Sequence, residues 1–147
     1  MFKAIKKLFE DDGPENLSHL ENRHLEIAVA CLLHESKRVD MGEHVKEHVA
    51  AREALEDLFG SAEADAELLL EQGRNKAQKL TSYFGPVSII KREFSLARRV
   101  RLVEHLWRIA YADSKLEPDE DHYVRKIAHL LYVPNTESML ARTRARA

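Results

Sequence analysis

Carboxylates gather at two points of the chain in a similar order. The first run reads Glu35-Ser36-Lys37-Arg38-Val39-Asp40-Met41-Gly42-Glu43, and the second reads Asp113-Ser114-Lys115-Leu116-Glu117-Pro118-Asp119-Glu120. With Arg38 set aside the two align as an acid, Ser-Lys, an apolar residue, an acid, two residues and Glu. Two kinds of chemistry suit such runs. Asp40 with Glu43 has capping-box spacing, in which one side chain accepts from a first-turn N–H and the other reaches back, and Glu117-Pro118-Asp119-Glu120 reads as the opening of a helix. Pro118 would then take the first helical position, with acids against the positive end of the dipole. The alternative is a hard divalent cation held by oxygen ligands around a tight loop. The candidate ligands are Glu35, Asp40, Glu43, Asp113, Glu117 and Glu120, and the candidate ions Ca²⁺, Mg²⁺ or Zn²⁺. Neither run follows the EF-hand loop with its glycine at the sixth position.

Other reactive residues are sparser. His44-Val45-Lys46-Glu47-His48 matches the H-x-x-E-H string of inverted zinc peptidases, and two histidines one turn apart can share a metal ion. On a helical wheel, however, Glu47 falls about 100° from His48, toward solvent. These histidines are therefore expected on the surface. Cys31 is the single cysteine, which excludes an intrachain disulfide; its apolar neighbours make it a buried structural thiol. The sequence has no nucleophile elbow, phosphate loop or dinucleotide fingerprint, so no enzyme activity is expected.

The elements that position these residues are helical. Apolar spacing follows a 3.6-residue period nearly throughout, and the few Gly and Pro fall between the periodic stretches. The pattern predicts helices near 2–10, 17–36, 42–59, 62–72, from about 74 with a break or kink at Gly85-Pro86, 95–112 and 118–131, followed by a frayed basic end after Pro134. Ser95 is the expected N-cap of the sixth. That helix carries Leu96, Val100, Val103, Trp107 and Ala110 on one face and a polar stripe of Arg101, Glu104, His105 and Arg108. The chain has 147 residues, of which 44% are hydrophobic and 33% charged, with a formal net charge of −2. That size suits one domain burying roughly 70% of its unfolded surface. Residues 1–16 form a short amphipathic helix and linker, and residues 17–147 the main helical domain.

The stretch from Leu106 to Glu120, followed by Val124-Arg125-Lys126-Ile127-Ala128-His129-Leu130-Leu131, resembles the second signature of the tellurite-resistance TerB-like family. The stretch Ala28–Leu33 with Glu35, Val39, Asp40 and Glu43 is similar to its first signature, although Ser114 stands where the family pattern usually has glycine. The resemblance implies an all-α fold: a single compact bundle of about seven helices containing two related helix–acidic loop–helix units. It further implies a non-catalytic module linked to tellurite resistance and stress response, with the acidic loops as divalent-cation sites.

Charge is segregated along the chain. From Glu43 to Gln72 nine acids stand against two bases, and from Gly73 to Arg108 nine bases stand against two acids. Such a distribution serves either complementary helices or a docking surface for another protein. A metal-independent interaction adaptor is therefore the alternative function. Arg98, Arg99 and Arg101 point in different directions around their helix with few interleaved aromatics, so nucleic acid is not an expected partner. Phe2, Ile5 and Phe9 share one face of the basic opening segment, which permits weak membrane-surface contact through residues 1–10. With no apolar run of spanning length and no signal peptide, a cytoplasmic location is expected.

Overall fold

The computed structural model describes residues 23–36, 45–113 and 116–147, and they form an all-helical domain. Seven helices are described: α1 (residues 23–36), α2 (Val45–Phe59), α3 (Glu63–Ala77), α4 (Phe84–Glu93), α5 (Leu96–Ala110), α6 (Pro118–Leu130) and α7 (Asn135–Arg146). None of them is long and apolar enough to cross a membrane.

Two helices form the interior. In α1 every residue from Val29 to Leu33 is fully buried, so the helix has core on all sides rather than along one stripe. In α5 the buried face runs from Leu102 to Ala110, and this helix packs against α2, α6 and α7. Ser95 caps α5 as its residue type predicts, accepting from the N–H of Arg98 at 3.3 Å. The next two arginines extend the role of this end. Arg98 donates to the carbonyl of Leu58 at the end of α2, and Arg99 donates to that of Leu131 after α6 at 2.6 Å. The last carbonyls of a helix have no partner within it, so a guanidinium supplies both a donor and a favourable charge there.

Three boundaries differ from the sequence expectation. The fourth helix does not stop at Gln72: Gly73 lies inside α3, where it lets the backbone of α3 approach Ala30 of α1. The chain breaks at residues 78–83, and Gly85 and Pro86 lie in the first turn of α4 rather than at a kink. Proline is tolerated there because first-turn N–H groups have no intrahelical partner in any case. The segment after Pro134 is not frayed. It forms α7, whose Ser138 and Ala141 are buried, and the Trp107 indole N–H donates to Ser138 at 3.4 Å. Polar as its sequence is, α7 is held by tertiary packing on α5 rather than by a continuous apolar stripe.

The end of α6 is built differently from a common helix stop. The Val133 N–H bonds to the carbonyl of Ala128, and the Tyr132 N–H to that of His129, which is the Schellman pattern. Tyr132 adopts a φ of 57°, in the left-handed region usually reserved for glycine.

Candidate functional site

The second acidic run opens α6 with Pro118 first, as its sequence predicts, and adds a capping box. Glu117 is the N-cap of α6 and Pro118 its first residue, and Glu117 and Glu120 form a reciprocal capping box. The Glu117 N–H donates to Glu120 Oε1 at 3.3 Å. Glu120 is almost wholly buried, at 1% exposure, which is unusual for a carboxylate and places it against the core rather than in a solvated loop. Asp113 is half-buried in the turn after α5, and Glu117 is exposed.

Glu35, from the first run, lies near the end of α1 and is also buried. The Tyr83 hydroxyl donates to Glu35 Oε2 at 3.4 Å. The Tyr83 ring meets Tyr123 of α6 edge-on at 5.8 Å, and the Tyr123 hydroxyl donates to the Leu32 carbonyl at 2.8 Å. Burial, together with the nearby Tyr83 and Glu35, pushes the Tyr123 phenol well above its ordinary value, so it remains a hydrogen-bond donor. Glu120 precedes Tyr123 by three residues on the same face of α6. The tyrosine pair thus links the end of α1 to the middle of α6, and Glu120 lies one turn before Tyr123 on that helix. Asp40 and Glu43 lie outside the described residues, as do the capping-box reading of that pair and the N-terminal segment 1–10.

A family model described as tellurite resistance protein TerB matches residues 26–143. The chain belongs to the TerB family. No curated protein and no solved structure matches it. The matched region of this TerB domain includes both acidic runs and every described helix for most or all of its length.

Hard cations take oxygen ligands, and buried Glu35 and Glu120 are donors of that type. Among the described residues no group of three His, Cys, Asp or Glu side chains is close enough to hold a metal ion. A full coordination shell would therefore draw further oxygens from outside those residues, from the backbone or from water. The all-oxygen donor set suits Ca²⁺ or Mg²⁺ better than Zn²⁺.

The histidine string has a structural use in the TerB domain. Glu47 is not turned to solvent as the helical wheel suggests; it is buried at 1% exposure. His48 faces Glu67 of α3 at 2.8 Å, which joins α2 to α3. His44 lies outside the described residues. Cys31 is buried, and burial, reinforced by Glu35, pushes its thiol up to about 11, so it stays protonated and unreactive.

The polar stripe of α5 is a pair of interhelical charge clusters that periodicity did not reveal. Asp57 of α2 accepts from Arg101 Nε at 2.5 Å and Nη2 at 2.7 Å, and from His105 Nε2 at 2.7 Å. His105 is only 3% exposed, and burial holds it below the usual imidazole range, so its neutral ring donates to Asp57. Glu104, also buried, accepts from Arg108 at 2.6 Å and from Arg144 of α7. Part of the charge segregation along the chain is thus consumed internally. Arg98 and Arg99 bond to carbonyls at the ends of α2 and α6, and Arg101 holds Asp57.

A groove of about 850 Å³ opens between the 78–83 turn, α4 and the end of α6, and Glu35 forms part of its wall. Phe84 and Tyr132 stand at it with 78% and 71% of their surfaces exposed. Lys91 lies 4.1 Å over the Tyr132 ring, and Lys126 lies 5.3 Å over Tyr83.

Proposed function

We propose that this TerB-family protein is a cytoplasmic, non-catalytic module of tellurite resistance and stress response whose two acidic runs contribute to one divalent-cation site. The observation that supports this reading best is the tyrosine-linked approach of α1 and α6, with Glu35 and Glu120 both buried and Glu120 one turn from Tyr123. Carboxylate oxygens are the donors that a hard divalent cation takes. When bound, the cation would neutralise these groups and tie the two helix–loop units together.

Calorimetric titration with Ca²⁺, Mg²⁺ and Zn²⁺ tests the reading, with a parallel thermal melt. Saturating ion at about 100 times Kd would add roughly 2.7 kcal/mol of stability. Glu35→Gln and Asp113→Ala are expected to remove the heat and the thermal shift. If none of the three ions gives heat or a shift, the carboxylates serve capping and packing alone. Growth on tellurite of a strain lacking the gene, complemented with wild type or with Asp113→Ala, tests the stress-response part.

A further inference from the structure

We propose that the groove between the 78–83 turn, α4 and the end of α6 is a docking site for an acidic polypeptide segment carrying an apolar anchor residue.

Backbone strain is the first support. At the Schellman position after α6 glycine costs nothing, yet Tyr132 sits there at φ 57° with its ring exposed on the groove. A bulky residue in this conformation is uncommon and carries a conformational penalty. Glycine would meet this φ without that penalty, while the Tyr132 ring, with Lys91 over it, leaves 71% of its surface exposed on the groove. Phe84 is exposed on the same groove, and exposed aromatic anchors flanking a concavity are typical of binding hot spots.

Charge selects the partner. Lys91 and Lys126 line the groove, and Lys79 lies between lining residues Gln78 and Leu80. Both lysines that line the groove lie over its tyrosine rings, so these π faces already hold cations and a cationic ligand gains little there. Helix α4 begins at the groove with no acidic residue in its first turn, and its Phe84 N–H donates to Ser82 Oγ at 3.3 Å. Thr81 and Ser88 add hydroxyl donors. Glu35 is the acidic group on the wall, and Tyr83 donates to it. Carboxylates on the partner would meet the lysines, while an apolar side chain would pack against Phe84 and Tyr132.

The test uses a fluorescent peptide with a Leu-Phe pair flanked by Asp and Glu, titrated against the full chain in EDTA. The chelator removes any dependence on the proposed cation site, so failure here leaves that reading untouched. Binding is expected to weaken with added salt and to shift amide resonances in 80–91 and 126–133. Replacing the acids by Lys should abolish binding, and Lys91→Glu with Lys126→Glu should weaken it about tenfold or more. The decisive variant is Tyr132→Gly, which should raise the melting temperature while weakening the peptide at least several-fold. Loss of affinity with a gain in stability is not what a purely structural residue would give. The proposal is overturned if the acidic peptide does not bind, if the Lys-rich peptide binds equally well, or if the shifts map elsewhere. Unchanged affinity in Tyr132→Gly overturns it too, as does binding confined to vesicles of mixed phosphatidylserine and phosphatidylcholine.

Discussion

Replacing Gly73 with alanine probes how closely α1 and α3 approach. A Cβ built on Gly73 would lie 2.6 Å from the carbonyl carbon of Ala30, 2.7 Å from its Cβ and 2.8 Å from its oxygen. Carbon atoms in contact prefer about 3.5–4.0 Å, so the helices would have to separate by about 1 Å. The obstacle is mostly backbone, and no rotamer change relieves it. Overpacking of this kind costs about 1–3 kcal/mol. Alanine recovers about 1 kcal/mol of helix propensity over glycine. Backbone contacts favour the upper part of the overpacking range, so the net loss should be about 1–2 kcal/mol. At roughly 3–4 °C per kcal/mol for a chain of this length, the melting temperature should fall by about 3–8 °C. Urea and thermal unfolding followed by circular dichroism would measure it. Adding Ala30→Gly to Gly73→Ala removes only the Cβ contact and leaves the carbonyl carbon and oxygen, so it should restore less than half of the loss. A Gly73→Ala protein as stable as wild type would refute the close-approach argument and leave Gly73 as a simple propensity defect.

Three further perturbations test other parts of the structure. Tyr123→Phe removes the bond to the Leu32 carbonyl and should cost about 1 kcal/mol in urea unfolding; no change would mean that the α1–α6 link rests on ring packing alone. Arg101 first, and then His105, hold the Asp57 carboxyl below the usual carboxylate range, so its contribution is complete above about pH 4 and is lost as pH falls toward its folded value. The stability gap between wild type and Asp57→Asn should therefore narrow as pH falls below about 4, and a gap as wide at pH 2.5 as at pH 6 would contradict the pairing. Burial holds His105 below its ordinary value, so the unfolded chain takes up that proton first and stability falls as pH drops through about 6.5. His105→Gln should flatten that limb of a melting-temperature profile, and an unchanged profile would assign it to other histidines.

Local patterns carried much of the fold. The apolar run of α1, the Ser95 cap and the start of α6 at Pro118 are readable because the forces behind them act within one or two turns. The features that sequence did not disclose depend on distant partners. Gly73 reads as a stop until Ala30 is seen against it. Glu104 and His105 read as a polar stripe until Arg144 and Asp57 arrive from other helices. Glu47 falls on the wrong side of a wheel drawn for α2 alone. Among the site residues, the signatures marked the acidic runs, but it took Tyr83 and Tyr123 to reveal how Glu35 of α1 is tied to α6. The positive φ of Tyr132 has no signature in the sequence, because the residue there is not the glycine that such a turn favours.

The adjacent arginines at the head of α5 carry a mechanical consequence. Arg98 is fastened to the tail of α2 and Arg99 to the tail of α6, so two neighbouring side chains clamp three rods at a single knuckle. Rolling α5 would tear both fastenings at once, and sliding either neighbour would strain the other through one peptide unit. Movement of α5 against α2 or α6 therefore works against these fastenings, and the segment joining α3 to α4 is bound by neither arginine.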